Sequence, residues 1–166
     1  QRGVNVHSRI NRILVPVDFS PDSQNALRYA ADLAAACGAE IMMLHVVEPV
    51  YVTEPYLGVA PEFGMFLDQQ MSNAKAVLAD LGTDLKKKGQ RVRTMVAAGP
   101  PALLIVDTAK DIRTDLIVMG THGRTGVAYL FIGSVAEKVV RTAQCPVLTV
   151  RGAVRKRRAP KSAGRR

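Results

Sequence analysis

Five short apolar runs recur along this chain, each separated from the next by a stretch with helical spacing, and few folds accommodate that pattern. The runs are residues 12–18 (RILVPVD), 40–47 (EIMMLHVV), 91–99 (RVRTMVAAG), 115–120 (DLIVMG) and 145–151 (CPVLTVR). They are short, rich in β-branched residues and apolar at consecutive positions, as strands covered on both faces are. Between them lies helix punctuation. Ser20 before Pro21 starts a first helix, in which Ala26, Leu27, Ala30, Leu33, Ala34 and Cys37 repeat at helical spacing until Gly38 offers a left-handed stop. A Pro-, Gly- and aromatic-containing connection runs from Glu48 to about Pro61. From Phe63, the positions Leu67, Met71, Ala74, Leu78, Leu81 and Leu85 step by four and three, giving an amphipathic helix that closes at Lys86 to Gly89. Pro100 and Pro101 open a third helix, and Ser134 to Ala143 has the composition of a short fourth.

Strict alternation of strand and helix predicts parallel strands joined by right-handed crossovers. The expected fold is three-layer α/β: a doubly wound, five-stranded parallel sheet of order 3-2-1-4-5 with helices on both faces. Such sheets bind ligands outside the carboxyl ends of their strands, where Asp18, Val46 and Gly120 fall.

At 166 residues and 48% hydrophobic side chains, the chain has enough material for one core and too little for two ordinary domains. No run approaches the roughly 18 apolar residues that span a bilayer, and the first nine residues hold no stretch of signal-peptide length, so a soluble, cytoplasmic chain is expected. The net charge of +9 invites a nucleic-acid reading until its distribution is counted. Residues 151–166 hold eight of the 23 basic side chains and none of the 14 acidic ones, so the 15 that remain offset the acids to within one charge. The expected organisation is an N-terminal extension over 1–9, one folded domain over 10–151, and a basic, disordered tail over 152–166. Cys37 and Cys145 form neither a C-x-x-C pair nor a metal-spaced cluster with His7, His45 or His122. Both are read as small buried hydrophobes, and His45 as a satisfied core residue.

The most informative segment is Gly120-Thr-His-Gly-Arg-Thr-Gly-Val-Ala-Tyr-Leu-Phe-Ile-Gly-Ser134, which leaves a strand end and enters a helix. Glycines let backbone N–H groups approach an anion closely, and the helix beginning at Ser134 adds unpaired donors and the positive end of its dipole. Arg124 and the Ser134 hydroxyl would add contacts. A surface loop that merely turns would also use glycines. Spacing weighs against that: Gly120, Gly123, Gly133 and Ser134 fit G-x2-G-x9-G-[ST] without a gap, a pattern that arises by chance in roughly half a percent of chains this long.

In this pattern, and in VPVDFS, LHVVEP, DLIVMG and CPVLTVR, the sequence over about residues 10–151 resembles the ATP-binding members of the universal stress protein family. The resemblance implies that Pro16, Val17, Asp18 and Ser20 lie beside adenine and ribose, with Val46 closing the base pocket and Met119 and Gly120 completing that wall. It places Gly123, Arg124, Gly133, Ser134 and Val135 at the phosphates of ATP, bridged by a divalent ion such as Mg2+. His122 in the same loop is read from its residue type as a further phosphate contact, the alternative being a solvated loop histidine. The resemblance also implies a homodimer built by pairing the C-terminal strands.

Other nucleotide chemistries lack their residues. G-x-x-x-x-G-K-[ST] does not occur, and no G-x-G-x-x-G follows the first strand. A phosphorylated receiver domain would need an acceptor Asp after strand three, where Ala97, Ala98 and Gly99 stand. The leading expectation is an ATP-binding regulatory protein without a catalytic residue and without side-chain metal ligands. The alternatives are a slow ATPase or autokinase using Asp18, Arg124 or His122, and a nucleic-acid-associated protein acting through the tail.

Truncation after Gly152 should leave the melting temperature and ATP affinity unchanged, because the removed residues hold no large apolar side chain beyond Val154. Thermal denaturation with and without ATP checks this; a loss of several degrees would mean that the tail docks on the domain.

Overall fold

The computed structural model describes residues 9–49, 61–121 and 132–151, with side chains of 61–63 left aside. Five strands, β1 (Arg12–Pro16), β2 (Glu40–Val47), β3 (Arg91–Ala98), β4 (Leu116–Gly120) and β5 (Val147–Val150), alternate with four helices, α1 (Pro21–Cys37), α2 (Pro61–Lys87), α3 (Pro101–Asp111) and α4 (Ser134–Thr142). All pairings are parallel, as the alternation predicts, and the sheet has the expected order β3-β2-β1-β4-β5. Among the described residues, no helix is long and apolar enough to cross a membrane.

In the central strands, apolar runs without alternation produce a sheet buried on both faces, whereas β3 at one edge buries only Val92 and β5 at the other is half-buried. Ile13 and Val15 of β1 pack with Ala26, Ala30 and Leu78 under α1 and α2, whereas Leu14 packs with Ile105, Ile117 and Val139 under α3 and α4. The three consecutive β1 side chains Ile13, Leu14 and Val15 are wholly inaccessible to solvent.

The local signals at α1 are realised as read. The Ser20 hydroxyl accepts from the Ser23 N–H, Pro21 occupies the first turn, and Gly38 closes the helix at φ 69. Its buried Ala26, Ala30 and Ala34 leave room for close approach to the sheet. The approach is tightest at Gly120, where a Cβ would lie 3.0 Å from the carbonyl carbon of Asp22. Neither Gly120 nor Gly133 has a positive φ, so the glycine at 120 answers to packing.

Among the boundaries that differ from the sequence reading, two bear on the cleft wall described below. β1 ends at Pro16, before Asp18, because residues 17–20 form the turn into α1, although the Val17 N–H still bonds the Leu44 carbonyl at 2.8 Å. α2 begins at Pro61, before Phe63, and Leu67, Met71 and Leu81 of its apolar stripe are only half-buried. Length explains the exposure at the N-terminal end: at 27 residues α2 is roughly 40 Å long, and the eight-residue β3 beneath it spans roughly 26 Å. Cys37 is half-buried and its thiol donates to the Leu33 carbonyl at 3.0 Å. Burial pushes the Cys145 thiol above its ordinary pKa, which keeps it protonated and unreactive at neutral pH.

Leu78→Ala, at a fully buried position, should destabilise the protein by about 2–5 kcal/mol. Gly120→Ala, which forces a methyl against the α1 backbone, should cost about 1–3 kcal/mol. Equilibrium urea unfolding measures both.

Candidate functional site

β1 and β4 pair at Ile13↔Leu116 and Leu14↔Ile117 and then part, whereas β1 stays paired with β2 as far as Pro16↔Leu44. The parting lies at the point where strand order reverses, the place for ligands in an open α/β sheet. A cleft of about 890 Å³ opens there at the carboxyl ends of the strands, within the size range of small-molecule sites.

One wall is the turn from β1 into α1. Pro16, Val17, Asp18 and Phe19 line it. Asp18 Oδ1 accepts from the Ser20 N–H at 3.0 Å and from the Ser20 hydroxyl at 2.6 Å, while Ser20 Oγ accepts from the Ser23 N–H. Ser20 is buried, and its hydroxyl orients Asp18 and caps α1 in one stroke. The turn bends sharply at Phe19, whose φ of 66 lies in the left-handed region. For a bulky side chain that conformation costs about 1–3 kcal/mol.

The facing wall comes from β4 and α4. Met119, Gly120 and Thr121 lead to the cleft, and the Gly133 N–H donates to the Thr121 carbonyl at 2.7 Å, which brings the start of α4 to the end of β4. Gly133 is the N-cap of α4 with ordinary angles (φ −62, ψ 149), and among the described residues no side chain caps the helix. The first-turn donors near Ser134 and Val135, both lining the cleft, therefore present the positive end of the helix dipole to whatever occupies it.

Val46 lines the cleft from β2. Nine of the expected positions thus meet at one cleft: Pro16, Val17, Asp18, Val46, Met119, Gly120, Gly133, Ser134 and Val135. Ser20 stands behind the first wall and acts on it through Asp18. His122, Gly123 and Arg124 lie outside the described residues. Among the described residues, no group of three or more His, Cys, Asp or Glu side chains could hold a metal ion.

The sequence reading missed several lining residues. Asn73 and Val77 come from α2 and Ile105 from α3, and only tertiary packing brings them to the cleft. Glu48 adds a second carboxylate. His45, read as a core residue, is buried but also lines the cleft: its Nδ1 lies 2.7 Å from the Val17 carbonyl and its ring stacks on Phe19, centroids 4.4 Å apart. No local signal marks a left-handed phenylalanine, since glycine is the residue that conformation favours.

The family model of the universal stress protein family matches residues 9–151. Universal stress protein YxiE of Bacillus subtilis is 35% identical over 146 residues, covering 85% of this chain and 99% of that protein. The universal stress protein UspA from Lactobacillus plantarum superposes with a TM-score of 0.78 at 29% identity, covering 87% of this chain and 99% of its own. A universal stress protein solved in complex with cAMP shares the fold at a TM-score of 0.66 and 23% identity, covering 88% of this chain and all of that one. The matched span takes in all five strands and both walls of the cleft, and the chain belongs to the universal stress protein family.

Proposed function

We propose that the cleft binds ATP and that the nucleotide acts as a ligand controlling the protein's conformation or interactions. The observation that carries this reading is the pairing of an oriented carboxylate, Asp18, with the uncapped N-terminus of α4 across one cleft. An acid at the end of the first parallel strand suits ribose hydroxyls. Uncapped helix donors suit phosphate. Apolar Pro16, Val17, Val46 and Met119 suit the flat faces of a base. In this reading Gly123, Arg124 and His122 complete the phosphate contacts with Gly133, Ser134 and Val135, Gly120 completes the base wall, and Mg2+ is held chiefly by the phosphates. Ser20 contributes by orienting Asp18.

The carboxylates of Asp18 and Glu48 in the cleft favour slow ATP hydrolysis as a second reading. Rapid phosphoryl transfer needs a positioned base together with cationic stabilisation, and the lysine of a P-loop has no counterpart in the motif. We also propose a cytoplasmic homodimer. β5 pairs with β4 alone, and its residues Val147–Val150 are all half-buried, an apolar edge that a second copy would cover.

Saturation with ATP at a hundredfold excess over its dissociation constant should add about 2.7 kcal/mol of stability, raising the melting midpoint by about 5–11 °C. Gly133→Glu should abolish the shift by placing negative charge at the helix terminus, and Asp18→Ala should reduce it. No shift with any nucleotide would remove the assignment. Phosphate release should stay below about one per second; faster release, lost in Asp18→Asn with binding intact, would make the protein an ATPase. Light scattering should report a dimer that Leu148→Asp converts to monomer or insoluble protein, and an unchanged dimer would reject the β5 interface.

A further inference from the structure

We infer that Phe19 and His45 are positioning residues of the cleft: their stacked rings fix the Val17 carbonyl and, through the turn that follows, the Asp18 carboxylate. The Val17 carbonyl can only accept, so His45 Nδ1 carries the proton of that 2.7 Å bond. The Val17 N–H donates to the Leu44 carbonyl at 2.8 Å. Both polar groups of the Val17 backbone are therefore tied to β2, one by the main chain and one by a buried side chain.

Beyond Val17 the chain must turn from a strand into a helix within three residues. It does so through the left-handed Phe19, a conformation in which glycine is free of strain. The ring recovers that strain by lying 4.4 Å from the His45 ring at an interplanar angle of 25°. The Phe19 carbonyl in turn accepts from Gln24 Nε2 at 3.2 Å. Asp18 thus sits between a clamped residue and a strained one, and its Oδ1 is held by Ser20. His45 reaches Asp18 through Val17 and Phe19, which makes it a positioning residue.

A rival account makes the stack simple filling beneath α1, since Phe19 packs against the core shared by α1 and α2. Relief of the left-handed strain by glycine at position 19 is common to both accounts and offsets part of the lost contact. Filling predicts that Phe19→Gly changes stability alone and leaves Ser20 exchange and ATP affinity as in the wild type. Positioning predicts that the turn loses its fixed geometry, so that both change.

The inference rests on the nucleotide reading for its ligand arm only. The experiment therefore has two arms on the full-length protein: ATP affinity by titration calorimetry at a temperature where each variant is folded, and hydrogen exchange of the Ser20 amide by NMR without nucleotide. Phe19→Gly should weaken ATP about tenfold or more with a melting temperature close to wild type, and should speed Ser20 exchange about tenfold. His45→Leu, lacking the donor, should do the same. His45→Asn places an amide donor where Nδ1 stood and should bind ATP within about threefold of wild type. Should Phe19→Gly fail to fold, the His45 pair decides alone. Wild-type exchange in His45→Leu, or equal ATP affinity in His45→Leu and His45→Asn, would overturn the inference. If the wild type binds no ATP, the nucleotide reading falls, and unchanged Ser20 exchange in the variants would then overturn the positioning role separately.

Discussion

β1 pairs with β2 along its whole length and with β4 only at Ile13 and Leu14. Where the two parallel neighbours part, a gap opens at the reversal of strand order, and its rims are held from their outer sides. The Val17 carbonyl is met on the β2 side by a side chain, His45. The Thr121 N–H bonds the Val150 carbonyl of β5, and the Thr121 carbonyl accepts from Gly133, which draws α4 to the rim. Both rims therefore have their main-chain polarity satisfied without closing the gap.

α1 belongs to both walls. Through Ser20 and Ser23 its cap is joined to Asp18 on one side, and through Asp22 its first turn rests on Gly120 on the other. A shift of this helix relative to the sheet would change the separation of the two walls. Under the proposed nucleotide reading, that coupling would be a rigid body through which occupancy is transmitted to the surface.

Much of this was legible in the sequence because the signals involved are local. Ser20, Pro21 and Gly38 mark the ends of α1 through backbone chemistry confined to one turn, and the alternation of runs was enough for a parallel, doubly wound sheet. The cleft residues on strand ends were legible for the same reason, since topology alone brings strand ends together. Gly120 shows a limit: its place in a glycine motif pointed to an anion, whereas its contact with Asp22 shows a packing demand that no single-sequence pattern carries. The contributions of Asn73, Val77 and Ile105 depend on how helices lie over the sheet, and Phe19 adopts a conformation its residue type disfavours. His122, Gly123 and Arg124 lie outside the described residues.

The overhang of α2 has a kinetic meaning for access to the cleft. Met65 and Phe66 are 71% and 56% exposed, and Ala74 is the first buried side chain of the helix among the described residues. Gln70 and Asn73, which line the cleft, lie ahead of that anchor. Stretches with few buried apolar contacts open at a lower free energy than the core. This part of the cleft wall is therefore the one whose opening costs least, while Leu78 and Leu85 hold the remainder closed, and access past it would be governed by how often those turns open.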